Sequence, residues 1–146
     1  MALHRAIVDR LAALLGPSAA GGGEDVLVLR RVALHGVTHG AIVAVTKYLA
    51  ATAEEIAASV GIPRRTLARK RGPGRLDLRT SEKIVRLARV AARAEEVLGG
   101  SDDMRRWLRT PNAALGHELP LAMLDTDLGA EAVLTTLGRL EHGIFA

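Results

Sequence analysis

The chain has no cysteine and almost no aromatic residue, with one Trp, one Tyr and one Phe in 146 residues. The first absence removes disulfides, thiolate metal sites and a thiol nucleophile together, and accords with a reducing cytoplasm. The second means that a core has to be built from Ala, Leu and Val, since apolar residues still make up 49% of the chain. Such a core suits helices, because Ala and Leu have the best helix propensities and small Ala lets helices approach closely. Long apolar runs are also missing. No window offers the roughly 18 apolar residues of a membrane span, and the run Gly40–Val45 stops at Thr46-Lys47. Arg5, Asp9 and Arg10 interrupt the apolar positions near the N-terminus, so the start does not read as a signal peptide. There is no Gly-x-Ser-x-Gly elbow, phosphate loop or dinucleotide fingerprint. His35 and His39 have the i, i+4 spacing of a helical metal pair, but Gly36 and Gly40 weaken a helix there and no carboxylate lies close in sequence. The expectation is a protein that catalyses nothing and holds no cofactor or metal.

What is present divides by charge. Residues 1–63, 64–93 and 94–146 carry net charges of 0, +9 and −5. A basic centre against an acidic C-terminal segment points to two surfaces with different partners, although Arg and Lys also simply keep an Ala-rich protein soluble. The length allows one ordinary domain or two small helical lobes.

Along the chain, Leu3, Ile7, Leu11, Leu14 and Leu15 recur at helical spacing up to Gly16-Pro17, and Ser18–Gly23 reads as a linker. Val26–Leu34 reads as a helix closed by Gly36 in preference to a short strand, and Ala41–Leu49 as another helix. Thr52-Ala53-Glu54-Glu55 has capping-box spacing, with the Thr hydroxyl taking an orphan N–H and the Glu returning the favour. The helix that follows would bury Ile56, Ala57 and Val60. Gly61 supplies a turn and Pro63 the first turn of a second helix. Ala57, Gly61, Ile62 and Leu67 then reproduce most of the spacing of a helix-turn-helix, with Lys70 departing at the last apolar position. The second helix offers Arg64, Arg65, Thr66, Arg69, Lys70 and Arg71, the side-chain types that contact phosphates and guanine edges in a major groove. Helical hairpins with a Gly turn are common structural units. Three readings therefore stay open: DNA contact, a retained fold without DNA contact, and a basic face for an acidic partner.

Arg71–Arg75 breaks the helix, and Thr80 or Ser81 would cap the next. That long amphipathic helix places Ile84, Leu87, Ala88, Ala91, Ala94 and Leu98 on one face and ends at Gly99-Gly100. Its arginines read equally as solvated charges or as an extension of a phosphate-binding surface. Ser101-Asp102-Asp103 reads as an N-cap with carboxylates at the positive helix end. Trp107 and Leu108 are the apolar load of that helix, Trp107 as a core anchor. Pro111 and Pro120 set chain reversals. Asp125-Thr126 caps a last helix whose buried stripe is Val133, Leu134, Leu137 and Leu140, with Gly143 just past its end.

The series Trp107-Leu108-Arg109-Thr110-Pro111-Asn112, Leu115-Gly116, Pro120-Leu121, Leu124-Asp125-Thr126 and Leu137-Gly138-Arg139-Leu140-Glu141-His142-Gly143-Ile144-Phe145 closely resembles the toxin-binding domain of Xre/MbcA/ParS antitoxins. The resemblance runs from about Thr52 onward. It departs at Gly116-His117, where the family usually shows Gly-Gly. It implies an all-α protein, with a helix-turn-helix lobe joined by the long helix to a helical toxin-binding lobe. Residue pattern and resemblance together give the expected divisions: an N-terminal helix and linker (1–23), read from the residues alone, a lobe with the helix-turn-helix at about 53–71 (24–98), and the toxin-binding domain (99–146). The resemblance further implies an inhibitor of a RES-domain toxin whose chemistry consumes NAD. Arg139, Glu141, His142, Ile144 and Phe145 would lie at the end that enters or covers the toxin's NAD cleft. Simple packing of Ile144 and Phe145 onto their own core is the alternative. Apolar stripes in excess of what so small a lobe can cover point to a symmetric dimer, which would suit a palindromic site in the protein's own promoter. A stand-alone transcription regulator remains the competing class.

Overall fold

The computed structural model describes residues 2–16, 26–69 and 74–143. Its elements in order are α1 (Ala2–Leu15), α2 (Val26–His35), α3 (His39–Tyr48), α4 (Ala53–Val60), α5 (Arg64–Arg69), α6 (Leu78–Leu98), α7 (Ser101–Leu108), short 3₁₀ helices at Ala113–Leu115 and Pro120–Asp125, and α8 (Asp127–Glu141). The protein is all-helical, and no strand occurs among the described residues beyond two isolated bridges, Thr38 with Arg75 and Asn112 with Glu118. The segment from Val26 is helical, as its spacing predicts, whereas the expected linker Ser18–Gly23 lies outside the described residues.

The long helix is more central than one amphipathic face requires. Besides Ile84, Leu87, Ala88, Ala91 and Ala94, α6 also buries Thr80, Ser81, Val85, Val90 and Ala92, while Leu98 is only half-buried. The physical reason is that α1, α2 and α3 pack on it together with α7 and α8. Side chains as small as Ala let helices close in from several directions. Buried residues from α1 through α8 consequently join in one apolar cluster.

Two expected caps fall elsewhere. Asp77 occupies the N-cap of α6, so Thr80 and Ser81 lie inside its first turn; the Ser81 hydroxyl accepts the Val37 N–H at 3.0 Å and donates to Leu76 O at 3.2 Å. Gly100, not Ser101, caps α7, and Asp102 and Asp103 pair with Arg105 and Arg106 one turn on. Ser81 thus latches the α2–α3 turn to the start of α6. Gly36 makes the latch possible: its φ of +89° suits glycine, and a Cβ there would lie 2.6 Å from Leu76 O.

Helix α1 is held by a polar cluster as well as by Leu11, Leu14 and Leu15. Arg10 gives two hydrogen bonds of 3.1 Å to Glu95, and its guanidinium lies 4.8 Å from the Tyr48 ring centroid. The Tyr48 hydroxyl bonds to Glu95. Burial first, and then that carboxylate, push the Tyr48 phenol well above its ordinary range.

Candidate functional site

Helices α4 and α5 build the helix-turn-helix. Thr52 caps α4 with its Oγ1 accepting the Glu55 N–H at 3.2 Å, and Gly61 ends the helix in the left-handed region at φ 66°. The return half of the capping box is absent, because the Glu55 carboxylate turns to Arg109 Nε at 2.7 Å. Pro63 stands just before α5, its carbonyl accepting from Thr66 N at 2.8 Å. The α5 helix is six residues long and anchored by buried Leu67. Arg64 and Arg65 are exposed beside half-buried Thr66, and Arg64 pairs with Glu54 at 3.0 Å. Both partners are open to water, so this pair contributes little to stability and leaves Arg64 available. Arg69 ends α5, while Lys70 and Arg71 lie outside the described residues. A cavity of about 600 Å³ with an apolar floor of Ile42, Ala53, Ile56 and Leu67 opens beside Arg64 and Arg65.

Several side chains of the basic block bond to the protein's own backbone or carboxylates. Arg75 donates to Gly36 O at 2.8 Å, Lys83 to Gly61 O at 2.9 Å and Arg86 to Leu124 O at 3.1 Å. Arg86 also pairs with Asp127, and Arg93 with Glu96 and Glu141. The +9 and −5 segments therefore meet each other at several points. For Arg86 and Arg93, neither a solvated charge nor a phosphate contact describes the role, since both tie α6 to the C-terminal domain. His35 ends α2 and His39 begins α3, so the two do not share a helical turn. Among the described residues no group of three metal-ligating side chains comes together.

The C-terminal domain is built on buried Met104 and Leu108 of α7, with Trp107 packed partly buried against the same cluster. Pro111 is exposed, whereas Pro120 is buried at the start of its 3₁₀ helix. Asn112 organises the loop between them. Its Oδ1 accepts from Ala114 N at 2.9 Å and its N–H donates to Glu118 O at 3.0 Å. His117 adopts a left-handed φ of 64°, which a glycine would take without strain. Thr126 caps α8 with its Oγ1 accepting Gly129 N–H at 3.0 Å. Val133 and Leu137 are fully buried, Leu134 and Leu140 partly.

At the far end of α8, Arg139 and His142 are exposed, and Glu141 is held by Arg93. That hydrogen bond, more than any other influence, lowers the Glu141 carboxyl below its ordinary range. Burial opposes the charge on Arg93, but Glu141 and Glu96 more than offset this and raise it. Ile144 and Phe145 lie outside the described residues. One residue missed by the sequence reading is Leu128, which is 79% exposed. With Ala132, Thr135 and Arg139 it borders a cleft between α8 and Ala113–Leu115. Its signal was available, since Leu128 falls off the Ala130, Val133, Leu137 spacing.

Fold and site together define a helix-turn-helix unit fused to a small helical domain whose last helix presents a polar end. Residues 29–89 match the antitoxin Xre-like helix-turn-helix domain, and residues 93–143 the antitoxin Xre/MbcA/ParS C-terminal toxin-binding domain. The chain belongs to the Xre/MbcA/ParS antitoxin family. It is similar to the antitoxin Xre of Yersinia enterocolitica serotype O:8, with 42% identity over 94 residues, 63% of this chain. It is also similar to the antitoxin Xre of Photorhabdus laumondii subsp. laumondii, with 37% identity over 86 residues, 58% of this chain. The aligned regions span 64% and 58% of those two relatives. Among solved structures, it is similar to a chain of the M. tuberculosis MbcT-MbcA toxin-antitoxin complex, with 26% identity and a TM-score of 0.54, covering 72% of this chain and 94% of that one. The helix-turn-helix match begins well upstream of Thr52, because α2 and α3 are part of that unit.

Proposed function

We propose that this protein is an antitoxin that binds a RES-domain toxin through its C-terminal domain and occludes the NAD-consuming site, acting by reversible binding without turnover. The observation that carries this reading is the match of residues 93–143 to a toxin-binding domain whose last helix leaves Arg139 and His142 exposed. In this reading Arg139, Glu141, His142, Ile144 and Phe145 form the contact, and the acidic C-terminal segment complements a cleft that holds a dinucleotide phosphate. The protein also represses its own operon, as a cytoplasmic dimer on a palindromic promoter site, with Arg64, Arg65, Thr66, Arg69, Lys70 and Arg71 facing DNA. A second reading, an antitoxin without DNA binding, is favoured by the internal hydrogen bonds that Arg75, Lys83, Arg86 and Arg93 make.

The test is NAD consumption by the RES-domain toxin, titrated with wild-type protein, with a chain lacking residues 144–146, and with Phe145→Asp. Wild type should inhibit stoichiometrically. Both variants should inhibit more weakly, because an apolar anchor is lost or a charge is forced into a closed site. Equal inhibition by all three, with folding confirmed, would move the contact away from the tail, and no inhibition by wild type would end the antitoxin reading.

A further inference from the structure

Helix α4 is gripped at both ends by groups outside the helix-turn-helix pair. At its first turn the Glu55 carboxylate receives Arg109 Nε at 2.7 Å. The same guanidinium donates to Leu49 O at 2.8 Å and to Arg105 O at 3.3 Å, and Arg105 Nε donates to Tyr48 O at 2.8 Å. Two arginines at the end of α7 thus satisfy the open carbonyls at the C-terminus of α3, where the helix dipole favours cations. One of them also reaches across to α4. At the other end of α4, Lys83 of α6 holds the Gly61 carbonyl. Between these grips α4 packs against the Pro120–Asp125 helix of the C-terminal domain.

The diversion of Glu55 is the informative detail. A glutamate at this position of a capping box ordinarily turns back to its own helix end. Here it bonds instead to a residue of the segment that matches the toxin-binding domain, whereas Leu49 and Glu55 belong to the segment that matches the helix-turn-helix. Arg109 sits on neither α5 nor the exposed end of α8. With one hydrogen bond to the loop before α4 and another to its first turn, it fixes the angle at which α4 carries α5.

We infer that Arg109 is a positioning residue for DNA reading, through which the toxin-binding domain sets the placement of α5. This rests on the DNA-binding reading above. It follows that a partner seated on the C-terminal domain and shifting α7 changes promoter affinity, and that promoter binding changes partner affinity by the same factor.

The experiment measures binding of the full chain to a fragment of its own promoter across a salt series, for wild type, Arg109→Ala, Arg109→Lys and Arg65→Ala. Arg109→Ala should weaken binding about tenfold while leaving the salt slope unchanged, because it removes no phosphate contact. If Arg65 makes a phosphate contact, Arg65→Ala lowers the slope by about one. Arg109→Lys should recover part of the affinity lost in Arg109→Ala, because an ammonium still donates to Glu55 or to the Leu49 carbonyl. Wild-type affinity in Arg109→Ala, a reduced slope in that variant, or no recovery in Arg109→Lys would each overturn the inference. Should the wild type not bind the fragment, the DNA reading itself fails. The clamp is then decided by amide exchange: Arg109→Ala should deprotect Ile56–Val60 relative to α6, and unchanged protection would refute it.

Discussion

Gly129 and Gly138 lie in the same helix, yet alanine should act oppositely at the two positions. Helix propensity alone says that either substitution gains about 1 kcal/mol, since glycine is the poorer helix former. At Gly138 nothing lies within 4 Å of an added Cβ, so the gain should stand. At Gly129 the Cβ would fall onto the Met123 carbonyl oxygen, 2.9 Å from its carbon and 3.0 Å from Thr126 Oγ1. The obstruction is backbone and cannot rotate away. Displacing it costs on the scale of overpacking, about 1–3 kcal/mol. Disturbing the Thr126 cap adds about 1 kcal/mol. Against the propensity gain, the net loss at Gly129 is about 1–3 kcal/mol. With a slope of about 2 kcal/mol/M, ordinary for a small protein, the urea midpoint of Gly129→Ala should fall by about 0.5–1.5 M while that of Gly138→Ala holds or rises. Equal shifts at the two positions, or a stabilised Gly129→Ala, would show that α8 and the Pro120–Asp125 helix are not in backbone contact.

Tyr48 is the sole tyrosine, so alkaline absorbance reports it alone. Its raised pKa favours the neutral phenol, so the stability it contributes is complete below its unfolded value of about 10 and declines above it. Phenolate should accordingly appear only as the protein unfolds, and an ordinary titration in the folded state would contradict the Tyr48–Glu95 contact. For Glu141 the sign reverses. Its lowered pKa gives stability that is present above about 4.3, the unfolded value, and is lost as pH falls through the lower folded one. Glu141→Gln should therefore flatten the acid limb of a thermal stability profile, and an unchanged limb would place the acid sensitivity elsewhere. The triple variant Arg64→Ala/Arg65→Ala/Arg69→Ala should lose promoter binding with a shallower salt dependence, and wild-type binding would show that α5 is not the reader.

Helix identity was legible in this sequence because Leu, Val and Ala recur at helical spacing and because Thr52 and Thr126 stand where capping hydroxyls belong. The landmarks from Trp107 to Gly143 carried the family. Spacing could not show which charges meet across the fold, since Arg93 and Glu141 are 48 positions apart. The internal hydrogen bonds of Arg75, Lys83 and Arg86 were hidden for the same reason. Local pattern also misassigned Glu55, because a capping box has a correct local partner for it while the tertiary partner Arg109 lies 54 positions away. Gly129 was silent in the sequence, as its necessity comes from a neighbouring backbone and not from its own φ.

The shared core described around α6 has a consequence in time. Helices that precede and follow α6 complete its burial from different directions, and their buried residues belong to one apolar cluster. Unfolding is expected to be one cooperative event. Under the proposed function, a protease that captured that unfolded state would release the toxin and the promoter in the same step. No fragment would persist that still silenced the gene after the toxin had gone free, and the lifetime of one native state would clock both effects.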